Sequence, residues 1–307
     1  MKSGSRLEAT LESGAFAVTT EVGSPKGCLP EILRKKGALL GSSCDAINVT
    51  DNQAAVVRMS SFAGCLLLKE TGAEPVLQVV VRDRNRLALQ SDILGAAALG
   101  IRNVLCLAGD HQLLGNHPGA VGVYDIDAVQ LIQTIKGLRD DHKVMSGETI
   151  SGDVPLYIGA VTNPFAEPVE LHLVTLAKKI RAGADFIQTQ TIFDVPKFAT
   201  WMEKVRAQGL HERTHILASV LLIKSVEMAR RMRGGVPGMF VPDGIFERIE
   251  RAADARAEGV RICIEQIEQL KCLPGVHGVH IMAIAGEDAV PGIVKEAGLF
   301  PRPEQPR

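Results

Sequence analysis

Short apolar runs recur along the chain, each bounded by turn residues, and most are followed by a longer segment with helical periodicity. The eight runs are AFAVTTEV from residue 15, CDAINVT from 44, PVLQVVV from 75, IRNVLCLAG from 101, PLYIGAV from 155, ADFIQTQT from 184, HILASVLL from 215 and GVHIMAIA from 278. Apart from two longer gaps, their starts lie 26 to 31 residues apart, which suits one strand and one helix per unit. Eight such units predict a (βα)8 TIM barrel. The alternative is a doubly wound open sheet, but no G-x-G-x-x-G follows the first run.

The segments between the runs predict helices with identifiable ends. IDAVQLIQTIKGL, residues 126–138, has one apolar face at helical spacing, and Asp125 is its expected N-cap. The long segment 242–273 predicts two helices separated near Gly259. The final PRPEQPR is expected to be a frayed tail.

Composition and charge narrow the class of protein. With 307 residues, 46% hydrophobic and 22% charged, the chain can bury one large core, and no linker interrupts it, so one domain over residues 1–307 is expected. The 34 Lys and Arg nearly cancel the 35 Asp and Glu, which argues against a nucleic-acid partner. The N-terminus has no apolar signal region, and no apolar stretch approaches the length of a membrane span. We therefore expect a cytoplasmic protein.

The six cysteines are scattered and form no C-x-x-C pair. This pattern is typical of free thiols in a reducing compartment. Cys44, Cys65 and Cys106 lie in apolar runs and are expected to pack in the core. No metal site is expected, because His111 and His117 share a loop but no pair of histidines has helical ligand spacing.

Polar residues follow most of the predicted strands. Because the active sites of barrels of this kind lie at the C-terminal ends of the strands, these residues would converge on one rim. Each one alone is more simply explained as a cap or turn residue, and only their convergence on one rim favours a functional role. The residues are Glu21, Thr50, Asp51, Asn52, Arg82, Asp83, Gly109, Asp110, His111, Thr162, Asn163, Gln188, Gln190, Lys224, Gly286 and Glu287.

Four of these rim residues carry the chemistry we expect. A carboxylate at the mouth of an apolar barrel is partly desolvated, which favours its protonated form and makes Glu21 a candidate general acid. The alternative for Glu21 is a surface salt bridge. Asp110 could accept hydrogen bonds from a heterocycle or tune a bound electron carrier. Gln188 and Gln190 share one face of their strand and offer both donors and acceptors, which suits a pterin or flavin edge or, alternatively, a hydrogen-bonded core.

Several motifs together resemble one family. They are E-x-G-x-P-K-G after the first strand, N-V-T-D-N-Q after the second, L-x-G-D after the fourth, and LAKKIRAGADFIQTQTIFD across the fifth helix and sixth strand. Over roughly residues 10–300 the chain is similar to the methylenetetrahydrofolate reductase family, and VTDNQ with RDRNR resembles its branch in anaerobes and acetogens. The resemblance implies a barrel that binds a flavin, usually FAD, and reduces 5,10-methylenetetrahydrofolate to 5-methyltetrahydrofolate.

The resemblance also implies residue roles. Glu21 corresponds to the acid that protonates the folate, Asp110 to the aspartate near both flavin and pterin, and Gln190 to a folate contact. The expected cofactor-binding positions are Thr50, Gln78, Gly109, Asp110, Tyr124, Ala160, His172 and Lys179.

Departures from the family pattern leave alternatives open. Ala108 stands where an arginine is common, Gln78 where a histidine is common, and Met232 where an aromatic residue positions nicotinamide. FMN is therefore an alternative to FAD. The electron donor is expected to be NAD(P)H or a small cysteine-rich iron-sulfur partner subunit, with an oligomer or hetero-complex as the assembly. Two other functions stay open: a flavin-free barrel methyltransferase that passes a methyl group to a corrinoid protein, and a non-catalytic subunit of a larger complex.

Overall fold

Eight parallel strands close into a barrel in chain order in the computed structural model, which describes residues 1–235, 239 and 241–304. The strands are β1 (Ala17–Val22), β2 (Ala46–Val49), β3 (Pro75–Val80), β4 (Asn103–Leu107), β5 (Tyr157–Thr162), β6 (Phe186–Thr191), β7 (His215–Leu221) and β8 (Gly278–Met282). Each strand overlaps one of the eight apolar runs, and β8 pairs with β1. The expected (βα)8 TIM barrel is confirmed.

Helices connect the strands and cover the outside of the barrel. They are α1 (Arg6–Glu12), α2 (Pro30–Leu40), α3 (Ser61–Lys69), α4 (Arg86–Ala98), α5 (Ala128–Lys136), α6 (Val169–Ala182), α7 (Val195–Ala207), α8 (Val226–Gly235), α9 (Asp243–Arg251), α10 (Ala255–Lys271) and α11 (Val290–Glu296). Within the described part of the chain, no helix combines the length and apolar character needed to cross a membrane.

The N-terminal end of the barrel is filled by apolar side chains. Leu7 and Leu11 of α1 pack against inward-facing residues of the strands, including Tyr157 and Phe186, whose rings stack with centroids 5.5 Å apart. Sequence reasoning did not assign α1, although Ser5 caps it and the two leucines have helical spacing. Because this end is filled, a cleft is left at the opposite, C-terminal end.

The cap expected for α5 is wrong by two residues. Asp127 is the N-cap, and its side chain and that of Gln130 form a reciprocal capping box with the backbone. Asp125 instead accepts hydrogen bonds from the backbone amide and guanidinium of Arg86. Both aspartates precede the helix. The backbone conformation in the folded protein decides which side chain can accept from the free amides of the first helical turn.

The two helices expected over 242–273 are present as α9 and α10, but the expected break at Gly259 is wrong. The break falls at residues 252–254, and Gly259 lies inside α10. A Cβ at Gly259 would come within 1.9 Å of the Ile223 carbonyl oxygen. The glycine therefore allows α10 to approach the chain just after β7, which outweighs its low helix propensity.

The described part of the C-terminal tail is anchored rather than frayed. The Arg302 guanidinium donates to the Asp45 carboxylate at 2.6 Å and to the Phe16 carbonyl oxygen at 2.8 Å. Asp45 is fully buried, and it also accepts a hydrogen bond from the Val18 amide. Residues 305–307 of the expected tail lie outside the described residues.

Four cysteines, Cys44, Cys65, Cys106 and Cys263, are buried, and Cys28 and Cys272 are exposed. Burial raises the pKa of the Cys44 thiol to about 12, so this thiol is inert at neutral pH. The expected core packing of Cys44, Cys65 and Cys106 is confirmed.

A histidine pair at the N-terminal end of the barrel predicts an acid-sensitive fold. His277 contacts His215 edge-on, with ring centroids 4.9 Å apart, and accepts a hydrogen bond from the Ile216 amide at Nδ1. Burial, with like charges at His215 and His211, lowers the pKa of His277 to about 4. Since the unfolded chain binds this proton near pH 6.5, the stability is fully present above that pH and falls as the pH approaches 4.

We expect the free energy of unfolding to fall by roughly 2 kcal/mol between pH 6.5 and pH 4 because of His277. This is less than the pKa shift alone implies, because the ring is partly exposed and solvent screens its charge. Urea unfolding between pH 4.5 and 7 measures it. His277→Asn keeps an acceptor for the Ile216 amide and should flatten the pH dependence, whereas His111→Asn, in an exposed loop, should leave it unchanged. Equal pH dependence in both variants would contradict the assignment.

Candidate active site

The cleft at the C-terminal end of the barrel has a volume of about 430 Å³, within the usual range for small-molecule sites. Seven of the ten site residues expected from the sequence line it: Glu21, Thr50, Gln78, Gly109, Asp110, Lys179 and Gln190. Strand alternation explains their meeting, because every second side chain of a barrel strand points inward and parallel strands end at the same rim.

The other three expected residues lie elsewhere. The Ala160 side chain packs in the apolar layer between barrel and helices, because its neighbour Val161 is the residue of β5 that faces the cleft. His172 lies on α6, partly exposed and outside the cleft lining. Tyr124 lies in the loop after β4, where its side chain is 42% exposed and the adjacent Val123 amide donates to the Arg82 carbonyl.

At the floor of the cleft, four buried polar side chains cross the barrel. Asn48 donates to Gln188 at 2.8 Å, and the Gln188 amide lies 3.4 Å from the Thr19 hydroxyl. Thr19 Oγ1 is 2.9 Å from His280 Nδ1. Apart from Gln188, these residues were missed by sequence reasoning. Their signal was present, since each is a polar residue at an inward position within one of the eight apolar runs.

Glu21 lies directly above this layer. It faces inward near the end of β1, its side chain is 12% exposed, and Oε2 lies 3.9 Å from His280 Nε2. Since Thr19 contacts the other ring nitrogen of His280, the imidazole is oriented toward the carboxylate. The surface salt bridge considered as the alternative for Glu21 is not the arrangement found here, because the side chain points into the cleft.

Asp110 connects its own loop, which follows β4, to the loops that follow β2 and β3 at the rim. Its carboxylate accepts a hydrogen bond from the Ala54 amide at 3.0 Å, and its carbonyl accepts one from Arg82 at 2.8 Å. The preceding Gly109 has φ +86°, and a Cβ there would lie 3.1 Å from Val80. This backbone conformation places the carboxylate at the edge of the cleft and requires glycine.

Two further side chains offer donors to a ligand. Lys179 reaches the cleft from α6 and donates to the Val161 carbonyl at 2.6 Å, and burial lowers the pKa of its ammonium group. The Thr50 hydroxyl is buried and has no hydrogen-bond partner among the described residues. A buried hydroxyl without a partner is costly, so a bound ligand is the natural partner for it.

A known protein family matches nearly the whole chain. The family model described as methylenetetrahydrofolate reductase matches residues 6–298. A probable methylenetetrahydrofolate reductase (NADPH) of Caenorhabditis elegans is 23% identical over 252 residues, covering 80% of this chain and 35% of that protein. Methylenetetrahydrofolate reductase 2 of Saccharomyces cerevisiae is 28% identical over 214 residues, covering 66% of this chain and 33% of the relative. The chain thus spans about a third of the length of these relatives.

Solved structures show the same fold. An uncharacterized protein from Clostridium thermocellum that binds two copies of 5-methyl-5,6,7,8-tetrahydrofolic acid superimposes with a TM-score of 0.66. The match covers 94% of this chain and 98% of that one at 14% identity, which establishes the fold alone. Because the family model matches nearly the whole chain and the structure is the expected barrel, this chain belongs to the methylenetetrahydrofolate reductase family.

Proposed function

We propose that this protein catalyses the flavin-dependent reduction of 5,10-methylenetetrahydrofolate to 5-methyltetrahydrofolate. The observation that carries the proposal is the position of Glu21, an inward-facing and mostly buried carboxylate in the main cleft of a barrel of this family. The folate-binding structural neighbour supports a folate as the ligand.

The cleft fits a flavin in its donor set. The unpartnered Thr50 hydroxyl, the Lys179 ammonium and the Gln78 amide all face the cleft, and they can meet the alternating donors and acceptors along a flavin edge. We propose FAD as the cofactor, with FMN as the alternative. When bound, the reduced flavin supplies the hydride that the folate carbon accepts.

The protein's own residues supply the proton and the placement. Glu21 holds a proton that it donates to the bridging amine nitrogen of the folate, and the bond from that nitrogen to the methylene carbon breaks. The methylene group is left as an electrophilic iminium on the pterin. Gln190 and Asp110 line the same cleft, and we propose that they hydrogen-bond the pterin ring.

The absorbance spectrum of the purified protein and an anaerobic assay test this proposal together. We expect a yellow protein whose flavin, once reduced, is reoxidised by 5,10-methylenetetrahydrofolate with formation of 5-methyltetrahydrofolate. NADH, NADPH and a reduced viologen are supplied separately as electron donors, because NAD(P)H and an iron-sulfur partner subunit are both proposed sources. A colourless protein that instead transfers a methyl group to a corrinoid would support the methyltransferase alternative.

Asp110→Asn is expected to raise the reduction potential of the bound flavin, because a nearby anion disfavours the negatively charged reduced ring. An exposed carboxylate a few ångströms away contributes about 1 kcal/mol, which is roughly 20 mV for a two-electron couple. Redox titration of both proteins measures the shift. Asp125→Asn, which removes a carboxylate paired with Arg86, is the matched control, and an unchanged potential in Asp110→Asn would place this charge away from the ring.

A further inference from the structure

A second, smaller cavity adjoins the main cleft beside Glu21. Its volume is about 190 Å³, and it shares Glu21 and Gln53 with the cleft. Lys36, Arg58 and Glu287 supply the other charged side chains of its wall. A ligand that reacts at Glu21 can therefore extend into this cavity without leaving the protein surface.

The charges in this second cavity are unevenly paired. The Lys36 ammonium is neutralised by the Glu287 carboxylate, with Nζ and Oε1 2.5 Å apart. Arg58 makes no ion pair with any of the described residues, and its Nη1 donates only to the Ser24 carbonyl oxygen at 3.0 Å. Its Nε is buried and has no hydrogen-bond partner among the residues that the structure describes. The second cavity thus holds a guanidinium that forms no ion pair within the described part of the chain.

The backbone holds Arg58 in place before any ligand arrives. Its amide donates to the Asn52 side chain at 3.1 Å, and the next amide, of Met59, donates to the Pro25 carbonyl at 2.9 Å. These contacts fix the segment after β2 against the segment after β1. Because the Nη1 contact with the Ser24 carbonyl also orients the guanidinium, less conformational entropy is lost when it binds an anion.

We infer that Arg58 binds a carboxylate of the glutamyl tail of the folate while the pterin lies in the main cleft. The inference rests on the proposed function, since it assigns one end of that substrate. A planar guanidinium with unpaired N–H groups recognises a carboxylate by charge-assisted hydrogen bonds. The tail carboxylates are the anionic groups of this substrate, and they lie at the opposite end from the pterin.

Two ligands and three variants test the assignment. 5-Methyltetrahydrofolate and the primary amide of 5-methyltetrahydropteroate share the pterin and benzoyl groups, but the second has neither a glutamyl group nor a carboxylate. For Arg58→Gln we expect the Kd of 5-methyltetrahydrofolate to rise about 10-fold to 100-fold, as for loss of a hydrogen bond to a charged group. The Kd of the pteroate amide should not change. Arg58→Lys should give a smaller loss for the folate alone, and Lys26→Gln, an exposed lysine at the same rim, should alter neither.

The outcomes separate the inference from the proposed function. Equal weakening of both ligands by Arg58→Gln, or of neither, would overturn the tail assignment while leaving folate binding intact. Wild-type protein that binds the two ligands with the same affinity would also overturn the tail assignment. Wild-type protein that binds neither ligand would overturn both proposals. If Arg58→Gln does not fold, as judged by circular dichroism, Arg58→Lys decides by the same comparison.

Discussion

Replacing Glu21 with glutamine is expected to lower the rate of methylenetetrahydrofolate reduction by about 100-fold or more, with folate affinity and flavin content nearly unchanged. The amide has the same shape as the carboxylic acid and fills the same position near His280. It cannot supply the proton that opens the methylene bridge, so the loss should appear in the chemical step. Stopped-flow reoxidation of the reduced protein by 5,10-methylenetetrahydrofolate measures that step directly.

The control for Glu21→Gln is another carboxylate at the same end of the barrel. Glu31 at the start of α2 is exposed and pairs with Arg34, so Glu31→Gln should have nearly the wild-type rate. Near-normal turnover of Glu21→Gln would remove this residue from the acid role. A large loss of 5-methyltetrahydrofolate affinity would instead mean that Glu21 holds the ligand rather than protonating it.

Arg302→Met is expected to cost about 3–5 kcal/mol of stability, as when one partner of a buried ion pair is removed. Asp45 is fully buried between β1 and β2, and the Nη2–Oδ2 distance of 2.6 Å marks a close pair. Without Arg302, Asp45 keeps the hydrogen bond from the Val18 amide but loses its counter-charge. Thermal and urea unfolding should both show the loss, with a fall in Tm of roughly 5–8 °C.

The matched control for Arg302→Met is an exposed pair. Arg256 and Asp288 are 2.5 Å apart, with side chains 47% and 66% exposed. Solvent screens such pairs, and we expect Arg256→Met to change the free energy of unfolding by less than about 1 kcal/mol. If the two variants unfold alike, the C-terminal segment is not an anchor of the barrel.

Local patterns in the sequence determined most of the elements of this fold and most of the candidate site. Apolar runs at regular spacing specify strands, and residues alternate between the two faces of a strand because of backbone geometry alone. The inward orientation of Glu21 and Gln190 follows from that alternation. Their meeting at one rim follows from the parallel direction of the strands, which short βα units impose.

The tertiary structure alone decided which distant groups touch. Thr19 meets His280 across 261 positions of the chain, and Arg302 meets Asp45 across 257. These pairs depend on how the barrel closes between β8 and β1 and on the register of that pairing. A local sequence pattern does not encode either of these. The incorrect helix break at Gly259 has the same cause. The glycine is required there because the carbonyl of residue 223, distant in sequence, packs against it in the folded barrel. Propensity is a property of a short segment, whereas contacts belong to the closed barrel.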